Sequence, residues 1–493
     1  MSSAPPALVA PDVLARYEPV IGLEVHVQLA TRTKIFCGCP TSFGAPPNTN
    51  VCPVCLGLPG ALPVLSRQSV EMAIQGALAL NCRVNPLSRF ARKNYFYPDL
   101  PKGYQISMYD QPLAEFGWVE IDLEGRTKRI GITRVHMEDD AGKSIHDGFK
   151  DSDRYSYVDL NRCGTPLIEI VSEPDLRSSD EAYAYLTELK QALEYVEVST
   201  CDMEKGHLRC DANVSVRPRG AEKLGTKAEV KNLNSFRFLK LALDYEIARQ
   251  IALIESGGQV AQETRLYNPG TGETVGMRSK EHAHDYRYFP EPDLAPLVVD
   301  AAWQAEIRKQ LPELPEALRK RLVEQYGITE YDAGVLASSR ALAAQFEVAA
   351  RAAKNPKRVA NLVQGELLGR LKAKDLGIEQ SPISMAGVAM SADLAEAGTL
   401  SSKMLKDLYD KAFASGEDFP AVYAREKPQQ ITDTAALEKV IAEVIAANSK
   451  QLEQYRAGKV TVKAFFVGQV MKATQGQANP ALVNELLDKK LAK

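Results

Sequence analysis

Residues Ile21-Gly-Leu-Glu-Val-His-Val-Gln-Leu29 alternate between apolar and polar side chains. Successive side chains of a β-strand point to opposite faces, so this period of two predicts a strand whose leucine and valine side chains share a buried face. Glu24, His26 and Gln28 then share the other face. The sequence thus places a carboxylate and an imidazole side by side on the polar face of a predicted strand.

Other segments repeat this arrangement. Leu208 to Arg217 and Lys227 to Lys231 alternate in the same way and carry Asp211 and Glu229 among their polar residues. A further strand-like run, 130–137, leads into three consecutive acids, and the end of that strand leaves open which of them faces inward: Glu138, Asp139 and Asp140.

These polar faces have two interpretations. If they converge, they form an acidic, imidazole-containing cavity whose oxygen ligands suit a hard cation. If they do not converge, they are the solvated outer face of an antiparallel sheet, the commonest reason for such alternation. Spacing alone leaves both interpretations open.

Four cysteines follow the first strand closely: Cys37, Cys39, Cys52 and Cys55. Each Cys-x-Cys or Cys-x-x-Cys turn supplies two thiolates, and the intervening loop can fold back to bring both pairs to one ion. We predict a closed four-sulfur zinc centre that stabilises the structure and does no chemistry. The alternative is four ordinary reduced thiols.

The overall composition is that of a globular protein in a reducing compartment. The chain has 493 residues, of which 45% are hydrophobic and 25% charged. Its other cysteines show no pairing pattern, which argues against a secreted disulfide framework and leads us to expect a cytoplasmic protein. We find no targeting segment and no apolar run of about 18 residues. A net charge of -3 gives no general attraction to phosphate, so an RNA-binding surface would be a local basic patch.

The sequence predicts an α+β fold in three domains. Strand-like runs with glycine and proline turns predominate up to residue 298, which predicts a mainly antiparallel-sheet domain over residues 1–298. Helix-forming stretches such as Glu316 to Gln325 and Val335 to Ala353 then predict an all-helical domain over residues 299–415. A break between Ala414 and Gln430 separates a small helical tail domain over residues 425–493.

Two features predict local helix ends and a helical core. Asn234-Ser235 is a good N-cap for a helix that runs to Ser256 and is closed by Gly257-Gly258. In the tail, four apolar residues at helical spacing predict core positions: Phe465, Phe466, Val470 and Met471. Three polar residues beside them are available to a partner: Lys472, Gln475 and Gln477.

The stretch Ala91 to Tyr104 interleaves cations with aromatic and turn residues. This pattern suits stacking on a base and pairing with phosphate, although an aromatic loop that merely packs would look the same. The sequence has no Gly-x-x-x-x-Gly-Lys-Ser/Thr loop, which excludes a P-loop nucleotide site.

Several runs together point to one family. They are residues 21–29, 92–104, 136–143, 209–215, 230–236, 285–293 and 466–480. These runs resemble the B subunit of the aspartyl/glutamyl-tRNA amidotransferase, the GatB family, and the resemblance extends from about residue 18 to the end of the chain. It implies a cradle domain that carries a kinase site, a helical domain and a tail domain that grips tRNA.

The resemblance implies a carbon–nitrogen ligase that acts on tRNA wrongly charged with glutamate or aspartate. ATP phosphorylates the side-chain carboxylate, and ammonia then displaces the phosphate to give the amide. Magnesium neutralises charge on the transferring phosphoryl group. The residues at the positions that match the family's catalytic magnesium site are Glu24, His26, Asp139, Asp211 and Glu229. Glu138 is a possible substitute for Asp139. Lys93 and Tyr95 are the implied nucleotide-binding residues.

The resemblance also implies partners. Ser401-Ser402-Lys403 lacks the glycine-rich context of a Ser-Ser-Lys amidase site, and we expect it to cap a helix. Ammonia would therefore come from a glutamine-hydrolysing amidase, the A subunit, in a complex that also contains a small C subunit. The other substrate would be misacylated tRNA(Gln) or tRNA(Asn), no membrane would be involved, and the isolated chain would expose apolar surface to its partners.

Two functions of other classes compete with this one. A non-catalytic, zinc-containing scaffold would bind tRNA without magnesium-dependent consumption of ATP. A metal-dependent hydrolase would use the same acidic cavity without ATP.

Overall fold

The computed structural model describes residues 9–123, 125–277, 286–428, 431, 433–474 and 476–491. Gln475, one of the predicted tRNA contacts, lies outside these residues. The chain divides into two compact units, Met1–Leu314 and Pro315–Lys493. The predicted three-domain division remains a prediction.

The first unit contains the strands of the α+β fold. Their bounds are β1 Tyr17–Gln28, β2 Arg83–Val84, β3 Leu87–Ser88, β4 Ala91–Asn94, β5 Tyr104–Ser107, β6 Ala114–Leu123, β7 Arg126–Asp139, β8 Lys143–Ile145, β9 Tyr157–Asp159, β10 Pro166–Ser172, β11 Leu208–Pro218, β12 Ala228–Lys231, β13 Thr264–Asn268, β14 Glu273–Gly276, β15 Phe289–Pro290 and β16 Leu297–Val298. Its helices are α1 Pro11–Leu14, α2 Arg67–Ala79, α3 Ser179–Tyr195, α4 Phe236–Glu255 and α5 Ala301–Gln310.

The predicted antiparallel sheet is confirmed. Most of the described strands form one sheet in the order β14-β13-β12-β11-β1-β10-β7-β5-β4-β15, and β6 pairs with β7 and β2. Among the pairings of the described strands, only β12 with β13 is parallel. The sheet is centred on β1, which lies between β10 and β11 and pairs with both.

One face of this sheet is the hydrophobic core of the first unit. The apolar side chains of β1 that the alternation predicted to be buried, Leu23, Val25 and Val27, are at most 1% exposed. Helices α3 and α4 pack on this side, where α3 contacts β6 and α4 contacts β11. Because the core takes one face of β1, the other face is left for polar groups.

The second unit is helical. Its helices are α6 Pro315–Tyr326, α7 Glu330–Leu336, α8 Arg340–Ala352, α9 Pro356–Leu362, α10 Leu368–Ala373, α11 Met385–Glu396, α12 Ser402–Ser415, α13 Phe419–Glu426, α14 Thr434–Ala447, α15 Ser449–Arg456, α16 Lys463–Ala473 and α17 Pro480–Leu491. A π-helical turn, Val363–Leu367, joins α9 to α10, and short 3-10 turns lie at Ile378–Gln380 and Val460–Val462.

The two capping predictions, at Ser235 and Ser401, are confirmed. The Ser235 hydroxyl accepts a hydrogen bond from the Phe238 amide at the start of α4, and Gly257 (φ +81°) follows its end. Ser401 caps α12 in the same way. The helix-forming stretch Val335 to Ala353 contains the end of α7, at Leu336, and helix α8, which the Ser339 side chain caps.

The C-terminal helices enclose the predicted core. Phe466 and Val470 are fully buried, and Phe465 and Met471 pack against the same cluster. Lys472 and Gln477 are exposed. The apolar spacing in this segment therefore reflects packing, as predicted.

Candidate functional site

The polar face of the sheet carries its charged residues in rows that cross the strands. His26 of β1 lies opposite Glu169 of β10 on one side and Arg209 of β11 on the other. Glu169 in turn lies opposite His136 of β7. Directly paired residues of antiparallel strands project to the same face, so this register gathers two imidazoles, a carboxylate and a guanidinium.

A cluster of metal-ligating groups lies where this row meets the end of β7. The His26 Nε2 is 3.3 Å from Glu169 Oε2 and 3.5 Å from Glu138 Oε1. The His136 Nε2 is 3.2 Å from the same Glu169 oxygen. His26, Glu138 and Glu169 each offer a ligand atom, and the three atoms lie within 4.8 Å of one another. An imidazole and two carboxylates so placed can hold a divalent cation.

Burial and the neighbouring charges shift the pKa values of the three side chains of this cluster. Burial raises the pKa of Glu138 above its ordinary value, since few waters reach that carboxylate. For Glu169 burial acts in the same direction, but the charge and hydrogen bonds of His136 and His26 outweigh it and hold its pKa well below normal. Burial opposes the charged form of His26, yet its hydrogen bond to Glu169 and the charge of Glu138 raise its pKa.

A second row contains the other predicted carboxylates of β1, β11 and β12. Glu24 lies directly opposite Asp211, and its Oε1 accepts a hydrogen bond from Asn213 Nδ2 at 3.0 Å. The Lys231 Nζ lies 2.8 Å from Asp211 Oδ2 and 3.0 Å from Glu229 Oε1. The structure thus brings the three predicted acids to the same polar face as His26, where Lys231 bridges two of them and offsets part of their charge.

Asp139 is separated from this face. The alternation of β7 persists to its last residue, so Glu138 shares the polar face with His136, while Asp139 points to the opposite side. There Asp139 is fully buried, accepts a hydrogen bond from the Ile106 amide at 2.7 Å, and pairs with Lys102. The acid that reaches His26 is therefore Glu138, the residue that the sequence offered as a substitute.

A large cationic cavity opens beside the cluster. Its volume is about 640 Å³, and both His26 and Asp211 line it. Five cationic side chains share its wall: Lys143, Arg162, Lys205, Arg209 and Lys231. The polar face therefore combines carboxylates that suit a cation with an adjoining surface that suits phosphate.

Lys93 and Tyr95 lie next to the three consecutive acids at the end of β7. The Lys93 ammonium lies 5.0 Å from the centre of the Tyr286 ring, a cation–π distance. The Tyr95 hydroxyl donates to Gln105 Oε1 at 3.0 Å, and the amide of Gln105 donates to the Asp139 carbonyl oxygen at 2.8 Å. Burial, with the nearby charge of Glu138, raises the pKa of Tyr95, which stays protonated as a hydrogen-bond donor.

The predicted cysteine cluster is formed. The sulfur atoms of Cys37, Cys39, Cys52 and Cys55 all lie within 4.8 Å of one another. The backbone amide of Cys52 donates to Cys55 Sγ at 3.2 Å. A hydrogen bond between Cys37 and Cys55 lowers the pKa of Cys55 and raises that of Cys37, so Cys55 is the thiol of this pair that ionises first. This donor set and spacing fit a tetrahedral zinc ion.

Sequence reasoning missed Glu169, a member of the cluster, and His136, which contacts it. Glu169 lies in the run Pro166–Ser172, whose burial on both faces hides the period of two. A single acid within such an apolar run was the available signal, because a buried charge needs a partner. His136 lies within the predicted strand-like run 130–137 and has the parity of Glu138, but the prediction did not use that parity to place it on the polar face.

The comparisons with known proteins define the class. The sequence matches the GatB/GatE catalytic domain family over residues 19–305 and the GatB domain family over residues 344–491. Among the described residues, no helix has both the length and the apolar character that a membrane span requires. The chain belongs to the GatB family.

Relatives covering nearly the whole chain carry one name, that of the B subunit of aspartyl/glutamyl-tRNA(Asn/Gln) amidotransferase. The relative from Carboxydothermus hydrogenoformans is 56% identical over 481 residues, which are 97% of this chain and 100% of the relative. The relative from Syntrophotalea carbinolica is 55% identical over 97% of this chain and 99% of its own length. The relative from Persephonella marina is 52% identical over 96% of this chain and 99% of its own length.

Replacing Glu169 tests the metal-ligating cluster. Glu169→Gln in the full-length chain removes one of the two carboxylates that could hold the ion. If the cluster binds Mn²⁺, the affinity should fall by at least about tenfold, because losing even an outer partner of a ligand typically costs that much. Isothermal titration with Mn²⁺ measures this. The matched control is Glu120→Gln, which removes a carboxylate paired with Arg129 and should bind Mn²⁺ as the wild type does. Equal affinity in all three proteins contradicts the assignment.

Proposed function

We propose that this chain is the kinase and transamidase subunit of a tRNA-dependent amidotransferase. Its substrates are Glu-tRNA(Gln), Asp-tRNA(Asn) or both, and it consumes ATP. The observation that carries the proposal is the cluster of His26, Glu138 and Glu169 at the edge of a cation-lined cavity. Membership of the GatB family and the shared name of the relatives support the same function.

The chemistry explains why such a site is needed. Ammonia cannot displace hydroxide from a carboxylate at a useful rate, so the side-chain carboxylate is first converted to an acyl phosphate by transfer of the γ-phosphoryl group of ATP. The carboxylate oxygen bonds to phosphorus and ADP leaves. Ammonia then attacks the acyl carbon, which releases inorganic phosphate and forms the amide.

We assign different roles to the residues of the polar face. His26, Glu138 and Glu169 would hold magnesium, which supplies charge neutralisation for the phosphoryl group when bound. Glu24, Asp211 and Glu229 lie in the adjoining row, where Lys231 holds two of them in place. His136 orients Glu169 through its 3.2 Å contact. Asp139 pairs instead with Lys102 on the other face, so we assign it no ligand role.

The cavity would take the phosphates of the substrates. Arginine and lysine side chains pair with phosphate oxygens, and Arg162 and Arg209 enter the cavity wall with Lys143, Lys205 and Lys231. Lys93 and Tyr95 remain proposed nucleotide contacts, since one supplies a cation and the other a protonated hydroxyl near Glu138. The cations of the cavity wall thus favour polyanionic substrates over simple hydrolysis substrates.

The rest of the enzyme would come from partners. The Ser401 hydroxyl caps α12, which supports a structural and not an amidase role for this Ser-Ser-Lys sequence. We propose that a glutaminase, the A subunit, supplies ammonia and that a small C subunit completes a heterotrimer in the cytoplasm. Three exposed apolar side chains that follow Cys55 in the chain suit a protein interface: Leu58, Leu62 and Val64. In the tail, Lys472, Gln475 and Gln477 remain proposed tRNA contacts.

Replacing Asp211 tests the kinase assignment. In Asp211→Asn, assayed with the proposed partner subunits, ADP formation from Mg-ATP and misacylated tRNA should fall by about 10²-fold, as when one electrostatic contributor to a transition state is removed. The affinity for tRNA should not change. The control is Asp180→Asn, which removes an exposed carboxylate paired with Lys240 and should leave turnover intact.

The outcomes separate the candidate functions. Unchanged ADP formation in Asp211→Asn removes this residue from the site. A wild-type complex that binds tRNA but forms no ADP would be a scaffold, and one that cleaves its substrate without ATP would be a metal-dependent hydrolase.

Metal analysis tests the zinc centre. The wild-type chain should contain one zinc ion per molecule, whereas Cys52→Ser, which leaves three thiolates, should retain less than half of it because a structural zinc site requires four ligands. Cys82→Ser, at a buried cysteine outside the cluster, is the control and should keep its zinc. The zinc proposal fails if the wild type contains no stoichiometric zinc, while the kinase proposal would survive that result.

A further inference from the structure

Lys34 is a lysine whose side chain is enclosed beside the cysteine cluster. It is 0% exposed, and lysines are almost never so buried without a partner. Its ammonium donates to the Asn50 carbonyl oxygen at 2.7 Å and to Cys55 Sγ at 3.5 Å. Within the described part of the chain, no carboxylate forms an ion pair with it. Of the two groups that accept its hydrogen bonds, only the Cys55 sulfur can carry a negative charge that compensates the ammonium.

The backbone fixes where this ammonium lies. The Lys34 amide donates to the Cys39 carbonyl oxygen at 2.9 Å, which closes the turn that carries the first cysteine pair. The next amide, of Ile35, donates to the Gly164 carbonyl oxygen at 2.9 Å. Gly164 (φ +83°) lies against both side chains, since a Cβ at this position would lie 3.4 Å from Lys34 Cδ and 3.5 Å from Cys55 Cβ, in ordinary van der Waals contact. Lys34 is thus built into the wall of the cluster from both sides.

The charge of the zinc-bound cluster explains why an ammonium lies beside it. Four thiolates around Zn²⁺ carry a net charge of -2, and a buried charge without compensation is costly. An ammonium that donates to one sulfur offsets part of that charge, and charge-assisted hydrogen bonds are stronger than neutral ones. It also withdraws electron density from the sulfur, which makes the thiolate a poorer nucleophile toward other electrophiles.

We propose that Lys34 is a positioning residue of the zinc centre, which holds Cys55 as a metal-bound thiolate through an N–H···S hydrogen bond and its positive charge. This inference rests on the proposed zinc centre. It extends that centre beyond its four cysteines and makes its stability depend on a side chain that is not a ligand.

Neutral substitutions of Lys34 in the full-length chain test this role. Lys34→Met keeps most of the length and the apolar character of the side-chain stem but removes the charge. Lys34→Gln keeps an N–H donor without the charge. Both should lower zinc affinity by about 10–100-fold, the usual loss when an outer partner of a metal ligand is removed. The readouts are zinc content and the rate of zinc transfer to the chelator 4-(2-pyridylazo)resorcinol.

A spectroscopic readout distinguishes this role from simple packing. In the Co²⁺-substituted protein, loss of the ammonium should shift the sulfur-to-cobalt charge-transfer band to lower energy, because the thiolate becomes a better electron donor. Lys34→Arg keeps the charge and should keep a band nearer that of the wild type. Lys128→Met removes a lysine that pairs with Glu181, away from the cysteines, and should behave as wild type in both assays.

The results separate the two proposals. Zinc in the wild type with unchanged affinity, release rate and band position in a folded neutral variant overturns the role of Lys34 alone. If Lys34→Met does not fold, Lys34→Gln decides in the same way. A wild-type chain without zinc overturns the zinc centre and this inference with it.

Discussion

The antiparallel register of β1 between β10 and β11 is the constraint on which the site depends. It sets His26 opposite Glu169 and Arg209, and Glu24 opposite Asp211. A slip of one residue would turn His26 into the hydrophobic core and bring Val25 or Val27 to the polar face. Since the apolar face of β1 packs fully against the core, such a slip is strongly opposed. Core packing therefore specifies the geometry of the polar face.

The polar face in turn requires charge compensation. Carboxylates as buried as Glu138 and Glu169 are costly unless they are paired. His26 and His136 supply part of the compensation, and Lys231 does the same for Asp211 and Glu229. A divalent cation would supply more. The same pairing leaves a polar surface whose carboxylates suit the metal ion, and whose cations suit the phosphate, of the proposed reaction.

Much of this site could be predicted from the residues, because alternation within a strand is local. It placed Glu24, His26, Asp211 and Glu229 on polar faces, and the antiparallel sheet brings those faces together. Cysteine spacing likewise predicted the four-sulfur cluster. Other parts depend on tertiary structure. The choice between Glu138 and Asp139 depends on how far β7 continues, and Glu169 lies in a strand whose burial on both faces removes the alternation.

The proposal that this chain is the kinase and transamidase subunit is tested most directly by measuring ADP formation. The assay uses the chain with its proposed A and C subunits, Mg-ATP, ammonium as nitrogen source, and either misacylated or uncharged tRNA. We predict ADP formation that requires Glu-tRNA or Asp-tRNA and is matched by an equal amount of Gln-tRNA or Asn-tRNA. Complexes that bind misacylated tRNA but form neither ADP nor amide would contradict the account.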